Sequence, residues 1–396
     1  MSKVITIVIP CLNEEGVIGD VIKDCWIGLK NDKKHQVLIM DSSTDKSGEI
    51  AKNLGADVVK IPKDGLGQAY IDSIPYIKGD YVIMGDADGT YDFKEIDDFV
   101  KKLDRGYEFI MGTRTKGWIE KGARPKLHQY FGAPITNWIF NLVYGSKFSD
   151  IHCGLRAMTK DALIKMRLQS KYWEYASEMI IKAIHLKLKT TEVPINFYKD
   201  RKGRISNVKR QGWMTPWYAG WISLKSMFVY GADFFLYKPG ILMMIAGLFL
   251  VFLLTFGPVG SFSLYYMLLG MTVSILGLVS FFMGITTRIL HDYSGKEMKR
   301  WLFVFDYNKT IVRSLIITIL GIILILPLIK DYITYDFRLP FGIRSKYYSS
   351  VTGLLFIITA YVNFSFSLLI NSLAKKINEL ENFNSREYKI KKNDEN

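Results

Sequence analysis

The most constraining feature of this sequence is a stretch of 49 residues, from Pro239 to Thr287, that contains no Asp, Glu, Lys or Arg. As one helix it would be about 73 Å long, against about 30 Å of hydrocarbon in a bilayer. The stretch must therefore fold back on itself. Gly257-Pro258-Val259-Gly260-Ser261 contains the helix-breaking residues for a hinge, which predicts membrane spans near 239–256 and 263–287.

Two further apolar stretches follow, from Ile311 to Ile329 and from Tyr347 to Leu373. The first of these is short and begins beside Arg313, so a shallow or re-entrant helix is an alternative there. Basic residues accumulate in the loop 288–313 and in the C-terminal tail, and the positive-inside rule places both in the cytosol. Four spans then place the N-terminal part in the cytosol as well, and 331–346 outside, although that segment also contains basic residues.

Large apolar residues recur at spacings of three or four ahead of the first span, which predicts one apolar helical face. They are Trp213, Trp217, Trp221, Leu224 and Phe228. Nearby lysines and arginines favour a helix lying in the lipid headgroup region, and a helix packed against protein is the alternative.

The net charge of +14 is compatible with nucleic acid, anionic lipid or phosphorylated substrates. Because the basic residues flank the apolar stretches, we expect lipid and phosphate as partners and no nucleic acid. Cys11, Cys25 and Cys153 lie far apart, so neither a disulfide framework nor a zinc site is expected. The first residues lack a charged stretch followed by a long apolar core, so we expect no signal peptide.

In the N-terminal part, short β-branched runs alternate with helix-like stretches. Strands are predicted at Val4–Ile9, Val37–Met40, Asp57–Ile61 and Tyr81–Met84, and helices at Val17–Leu29 and Lys46–Leu54. This alternation predicts an α/β domain with a mostly parallel sheet and helices on both faces, whose ligands bind at the carboxyl ends of the strands.

Asp86-Ala87-Asp88 follows the fourth predicted strand. Two such carboxylates can share Mg²⁺ or Mn²⁺ with a diphosphate, because these ions prefer oxygen ligands and accept few from protein. An isolated pair is more often a solvated turn, but its position after a buried strand favours the metal. Asp41, after the second strand, either accepts a hydrogen bond from a base or ribose or caps the helix that begins near Lys46.

Two loops are candidate ligand-binding segments. Gly65-Leu66-Gly67 would let the backbone approach a ligand closely, or simply begin a helix. It matches neither the dinucleotide-binding fingerprint nor the Walker phosphate loop. The stretch 114–130 is predicted to be a mobile basic loop that closes over an anionic acceptor, or a solvated surface loop. Its basic residues are Arg114, Lys116, Lys121, Arg124, Lys126 and His128.

In their order, these motifs resemble the family-2 glycosyltransferases of the GT-A fold, and within them the polyprenyl-phosphate glycosyltransferases such as dolichol-phosphate mannose synthase. The resemblance covers about residues 4–210. The matching segments are Val8–Glu15, Asp41–Asp45, Gly65–Gly67, Asp86–Tyr91, Gly112–Arg114, Asp150–Arg156, and Arg201 with Ser206.

The resemblance implies metal-dependent, inverting transfer of one sugar from a UDP- or GDP-sugar to a polyprenyl or dolichyl phosphate. It implies that the nucleotide-sugar is bound by Pro10, Leu12, Asn13, Glu14, Asp41, Gly67, Asp86 and Ala87. Mg²⁺ or Mn²⁺ would be held by Asp86 and Asp88, and the acceptor phosphate by Arg114, Lys126, Arg201 and Ser206. The catalytic set is then Asp88, Arg114, Asp150 and Arg201. The mannose synthases have Gln where Thr90 stands, which leaves the third metal ligand and the sugar open.

The acceptor determines how much base catalysis is needed. A phosphate monoester, with a second pKa of about 6, is already largely dianionic at neutral pH, so it requires positioning rather than deprotonation. Asp150 either assists as a base or fixes His152 or Arg156. Glu178, on a helix predicted at 176–186, is interpreted as a helix-surface carboxylate, with a place at the acceptor site as the alternative.

The nearest alternative is a processive polysaccharide synthase, a class with a Gln-x-x-Arg-Trp motif. Glu297-Met298-Lys299-Arg300-Trp301 is a near match after two spans, and we interpret it as a basic, aromatic membrane-surface loop. A non-catalytic membrane scaffold is a further alternative, which the intact aspartate pair disfavours. The predicted domains are 1–208 (glycosyltransferase), 209–238 (amphipathic helices), 239–373 (about four spans) and 374–396 (cytosolic tail). A homo-oligomer is left open.

Overall fold

A computed structural model describes residues 3–123, 128–199, 233–291, 296–337 and 344–394, with Trp221, Lys225, Phe228 and Gly231 as single positions. The chain divides into two compact units, Met1–Tyr230 and Gly231–Asn396. In the predicted amphipathic segment, Trp221 and Phe228 are helical and exposed. Its other three apolar residues, Trp213, Trp217 and Leu224, lie outside the described residues.

The first unit is an α/β domain. Its strands are β1 (Ile5–Cys11), β2 (Gln36–Asp41), β3 (Asp57–Lys60), β4 (Tyr81–Met84), β5 (Phe109–Ile119), β6 (Arg156–Thr159) and β7 (Thr190–Phe197). Its helices are α1 (Ile18–Gly28), α2 (Ser47–Asn53), α3 (Leu66–Ser73), α4 (Asp97–Asp104), α5 (Ala133–Tyr144), α6 (Lys160–Met166) and α7 (Tyr175–His185). The strand order is β3-β2-β1-β4-β6-β5-β7, and only β6 runs antiparallel to its neighbours.

The predicted mostly parallel sheet is therefore confirmed, and the strands and helices predicted in its first half agree with the structure within two residues. Nearly every residue of β1, β2 and β4 is buried, as expected for strands covered on both faces. Because parallel connections are right-handed, α1 and α2 lie on one face of the sheet and α3 on the other.

The prediction of a loop over 114–130 is wrong at its beginning, because β5 continues to Ile119. After a bulge between Thr113 and Trp118, β5 resumes its pairing with β7. The ammonium of Lys116 lies 2.6 Å from a carboxylate oxygen of Glu192 on β7. This pairing joins segments far apart in the sequence, which local patterns do not reveal.

The second unit is helical, with α8 (Lys238–Leu254), α9 (Leu264–Leu290), α10 (Lys296–Val304), α11 (Tyr307–Thr334) and α12 (Arg344–Asp394). Four helices in the described ranges are long and apolar enough to cross a membrane, namely Phe234–Leu254, Leu264–Leu290, Tyr307–Thr334 and Lys346–Ile377. The predicted hinge is confirmed between α8 and α9. The third span is confirmed, but its predicted bounds are too short, because α11 has 28 residues and begins where Asp306 accepts a hydrogen bond from the N–H of Lys309.

The interpretation of residues 297–301 as a surface loop is also wrong, because they belong to α10. Trp301 is only 5% exposed, and its ring packs against those of Tyr237, Phe281 and Phe305. Its indole N–H donates to Glu297 over 3.0 Å. Trp301 is thus part of the apolar packing of the second unit.

Glycines at seven-residue intervals bring α8 and α9 into backbone contact. A Cβ on Gly247 would lie 2.4 Å from the backbone nitrogen of Ser274 and 2.5 Å from the carbonyl oxygen of Gly270. A Cβ on Gly277 would lie 2.3 Å from the backbone nitrogen of Met244. Small residues of this kind allow membrane helices to pack closely.

We expect Gly247→Leu to separate these helices and to lower the free energy of unfolding by about 1–3 kcal/mol or more, as overpacking does. The thermal midpoint of the full-length protein in detergent measures this effect. Ala246→Leu is the matched control, because Ala246 is exposed on the same helix. Equal midpoints for the two variants would contradict the proposed close packing.

Candidate active site at the carboxyl edge of the sheet

The predicted site motifs meet at one edge of the sheet. β1 pairs in parallel with both β2 and β4, so the carboxyl ends of these three strands lie side by side. β6 is antiparallel to β4, and its first residue, Arg156, pairs with Met84 at the end of β4. The loops after β1, β2 and β4 and the loop before β6 therefore share this edge, here named the carboxyl edge. Open α/β sheets bind ligands at such an edge.

The loops after β1 and β2 are joined by hydrogen bonds. The backbone N–H of Asn13 donates to Ser43 Oγ over 2.8 Å, and Asn13 Oδ1 accepts from the N–H of Thr44 over 2.8 Å. The N–H of Glu14 donates to Ser47 Oγ over 2.9 Å. Asn13 has a φ of 57°, a left-handed conformation that asparagine tolerates better than most residues. The two loops thus hold Asn13 and Glu14 in place together.

Asp41, at the end of β2, is 2% exposed, and its carboxylate is hydrogen-bonded within its own domain. It accepts from the N–H of Ser43 and from the ammonium of Lys60, each over 2.9 Å. The interpretation of Asp41 as a cap for α2 is wrong, because at the start of that helix it is Asp45 that accepts a hydrogen bond from the N–H of Ser47. Lys60 was missed in the sequence, and its place at the end of β3 was the available indication.

Asp86 and Asp88 follow β4 and are partly exposed, with Ala87 buried between them. Asp88 Oδ1 accepts from the N–H and the hydroxyl of Thr90, over 3.0 and 2.6 Å. A Cβ on Gly154 would lie 2.7 Å from Asp86 Oδ2. The loop before β6 therefore approaches the Asp86 carboxylate closely, and only glycine leaves that space open.

Buried tyrosines surround this carboxylate. The hydroxyl of Tyr91 accepts from the N–H of Gly154 over 2.7 Å. The rings of Tyr70 and Tyr175 lie 5.0 Å apart, and the Tyr70 hydroxyl donates to the carbonyl of Gly85. Burial, and then the charge of Asp86, raises the pKa of Tyr175 above its ordinary value. These phenols stay neutral beside the carboxylate, and sequence reasoning assigned none of them to the site.

Arg114 and Asp150 form a buried ion pair. The Nε and Nη2 atoms of Arg114 lie 2.6 and 2.7 Å from the two carboxylate oxygens of Asp150, and the backbone N–H of Arg114 also donates to Asp150. The side chains are 8% and 0% exposed. Burial lowers the pKa of Arg114, but the charge of Asp150, its hydrogen bonds and the nearby Tyr91 and Cys153 together raise that pKa above its ordinary value. Asp150 thus holds Arg114, and the phosphate-binding and base roles predicted for these residues stay predictions.

Glu178 is not a helix-surface carboxylate, and that interpretation is wrong. Glu178 and Lys182 form an ion pair on α7 whose side chains are both 0% exposed. Glu178 also accepts from the N–H groups of Gln169 and Ser170, and Lys182 donates to the carbonyl of Arg167. The pair therefore fixes the loop between α6 and α7.

That loop packs against the glycine motif at the start of α3. A Cβ on Gly65 would lie 2.3 Å from the carbonyl oxygen of Lys171, and one on Gly67 would lie 2.1 Å from that of Ser170. The N–H of Gln68 donates to the carbonyl of Lys171 over 2.9 Å. The close approach that these glycines allow is to the chain's own backbone, and nucleotide binding by Gly67 stays a prediction.

Of the remaining predicted site residues, Pro10 lies on β1 opposite Met40, and Leu12 begins the loop that follows. Lys126, Arg201 and Ser206 lie outside the described residues, as does Arg124.

A mostly parallel sheet with paired aspartates after its central strand is the architecture expected of the GT-A glycosyltransferase class. The chain belongs to glycosyl transferase family 2, which matches residues 6–167.

Three relatives illustrate the similarity. The chain is 34% identical over 242 residues to the low-salt glycan biosynthesis hexosyltransferase Agl6 of Haloferax volcanii, covering 61% of this chain and 57% of that protein. It is 36% identical over 198 residues to the uncharacterized protein MJ1222 of Methanocaldococcus jannaschii, covering 48% of this chain and 80% of MJ1222. It is 27% identical over 201 residues to a dolichyl-phosphate hexose transferase of Haloferax volcanii, covering 50% and 84%.

Proposed function

We propose that this protein transfers a single sugar from a UDP- or GDP-sugar to a polyprenyl or dolichyl phosphate in a membrane. The observation on which the proposal rests is the Asp86 and Asp88 pair at the carboxyl edge of a family-2 domain, in a chain that also has four helices apolar enough to cross a bilayer. Similarity to a protein named as a dolichyl-phosphate hexose transferase supports the lipid acceptor.

The aspartate pair fits a divalent metal shared with a diphosphate. Within the described ranges, no group of three or more His, Cys, Asp or Glu side chains is placed to enclose a metal ion. Mg²⁺ needs no such cage when a substrate diphosphate completes its coordination, because one or two carboxylates then suffice. Asp86 and Asp88 would hold Mg²⁺ or Mn²⁺, and the ion would neutralise charge on the departing nucleoside diphosphate.

The other residues proposed for the site position the nucleotide or bind the acceptor phosphate. The joined loops containing Asn13, Glu14 and Asp41 would position the nucleotide. A lipid-phosphate oxygen would attack the anomeric carbon directly and invert its configuration, while the bond to the diphosphate breaks. No general base is needed for a phosphate that is already ionised, which agrees with the burial of Asp150 against Arg114. Arg201, Lys126 and Ser206 remain the proposed contacts to the acceptor phosphate.

For the membrane orientation, we propose that the catalytic unit and the C-terminal tail lie in the cytosol. The exposed Lys299 and Arg300 on α10 and the basic tail support this side under the positive-inside rule. Nucleotide-sugars made in the cytosol would then reach the site directly.

The direct test is to incubate the purified full-length protein with membranes, Mn²⁺ and a panel of UDP- and GDP-sugars. Radioactive sugar that is extracted into organic solvent and released by mild acid would support the proposal. A water-soluble product that grows with time would instead indicate the processive synthase.

Gly154→Ala is expected to lower kcat/KM for this transfer about tenfold or more, because a small displacement of reacting groups can be that costly. The added methyl would lie 2.7 Å from Asp86 Oδ2 and 3.0 Å from the Tyr91 hydroxyl. Initial rates with the active donor measure the effect. Gly19→Ala on α1 is the control, since its methyl would make only ordinary contacts of 3.4 Å or more. Wild-type rates for Gly154→Ala would contradict the placement of Asp86.

A further inference from the structure

Helix α5 and the turn before it expose a row of large apolar side chains. Phe131, Ile135, Trp138 and Leu142 are 62%, 53%, 65% and 51% exposed. Their spacings of four, three and four place them on one face of the helix. We name these four residues the α5 stripe. An exposed apolar face of this kind marks an interaction surface.

The opposite face of α5 already packs against the domain. Ala133 and Phe140 are 1% and 0% exposed. The side chain of Asn137 donates to the carbonyl of Ser149 over 2.6 Å and accepts from the N–H of Ile151 over 3.2 Å. The helix is therefore seated in its own domain by one face, and the α5 stripe is a second apolar face that requires a different environment.

The composition around the stripe fits a lipid surface. Residues 127–146 contain no Asp, Glu, Lys or Arg, and lysines stand on both sides, at Lys126 and Lys147. Lys147 is exposed. The 12 residues of α5 are about 18 Å long, too short to cross about 30 Å of hydrocarbon. Such a helix lies along the interface, where Trp is favoured and lysines meet anionic headgroups.

We propose that the α5 stripe binds the headgroup region of the bilayer in which the same chain is anchored. The four apolar helices of the second unit would anchor every molecule in such a bilayer, so no separate binding partner is needed. A charged or polar protein partner would not match a stripe with no acidic residue and a central tryptophan.

The contacts of α5 give this docking a consequence for the active site. Its inner face holds the segment before β6: Asn141 donates to the carbonyl of Phe148 over 2.8 Å, and Thr136 lies 3.1 Å from a ring nitrogen of His152. The same segment continues to Gly154, beside the Asp86 carboxylate. Docking of the α5 stripe would therefore fix the height of the carboxyl edge above the lipid surface. This consequence rests on the proposed function, whereas the membrane contact itself does not.

The test uses the full-length protein with a bimane label on Trp138→Cys, in vesicles of phosphatidylcholine and phosphatidylglycerol with or without nitroxide-labelled lipid. The native thiols are buried, and burial raises the pKa of Cys11 to about 11 and that of Cys153 to about 12, so they react slowly. Because an interfacial helix buries its apolar face about 5–10 Å deep, we expect the nitroxide lipid to lower the bimane emission at least about twofold.

Tyr76→Cys is the matched control, because Tyr76 is a 49% exposed aromatic residue at the other end of the sheet strands, where its carbonyl accepts from the side chain of Gln36 at the start of β2. Its label should not be quenched. Leu142→Cys is the second position on the stripe and should be quenched like Trp138→Cys. Emission at both stripe positions that is as insensitive to nitroxide lipid as the control would overturn the proposal. A second copy of the chain that covered the stripe would produce this result. Quenching requires no substrate, so it separates this inference from the proposed sugar transfer.

Discussion

Asp88→Asn is expected to reduce kcat/KM for sugar transfer by at least about a hundredfold, because it removes a charge that would bind metal and diphosphate in the transition state. Asparagine is nearly the same size and keeps an oxygen that can accept from the N–H and hydroxyl of Thr90, as Asp88 does. The loop after β4 should therefore keep its conformation. Initial rates with the active donor and Mn²⁺ measure the loss.

Asp98→Asn is the control for this variant, since Asp98 lies exposed on α4 in an ion pair with Lys101, and its rates should match the wild type. Asp150→Asn provides the second comparison. It should leave measurable activity in the folded fraction, because the proposed acceptor needs no base, although Arg114 loses its buried partner. Equal and complete loss in Asp88→Asn and Asp150→Asn would refute the mechanism without a base.

Glu178→Gln is expected to lower the free energy of unfolding by about 3–5 kcal/mol, because it leaves the charge of Lys182 buried and uncompensated. Both side chains of this pair are 0% exposed. For a domain of this size, that loss corresponds to a thermal midpoint lower by about 10 °C. Thermal unfolding of the full-length protein in detergent, followed by tryptophan fluorescence, measures the change.

The exposed pair of Asp98 and Lys101 again provides the control, because its side chains are 67% and 64% exposed. Asp98→Asn removes the same kind of charge and should cost no more than about 1 kcal/mol. Adding Lys182→Met to Glu178→Gln should recover part of the lost stability, since no unpaired charge then remains. Midpoints that fall equally in Glu178→Gln and Asp98→Asn would show that burial of the pair contributes nothing.

Much of the carboxyl edge was predictable because its motifs are local. Asp86 and Asp88 directly follow a short apolar strand, and Asn13 and Glu14 follow another. Parallel strands place their carboxyl ends together whatever residues lie between them. The position of the aspartate pair therefore followed from strand prediction alone, and the structure confirms the strands that position it.

The partners of the polar side chains at this edge were not predictable in the same way. Arg114 and Asp150 are 36 positions apart, and Lys60 is 19 positions from Asp41. Glu178 and Lys182 are only one helical turn apart, but the helix-surface interpretation failed because loop 167–171 covers both. Hydrogen bonding and burial across such distances depend on how the elements pack, and no local periodicity encodes that packing.

The 49-residue uncharged stretch by itself determined that this chain must fold back on itself, because one helix of that length would be more than twice as long as a bilayer's hydrocarbon is thick. The alternation of strands and helices likewise determined a mostly parallel sheet with aspartates at its carboxyl edge. Only the tertiary structure decided that Arg114 is paired inside the domain, that Gly154 approaches Asp86, and that α5 keeps an apolar face exposed. The physical reason is that the length of an apolar segment and the periodicity of its side chains are properties of the local sequence, whereas burial is a property of the packed molecule.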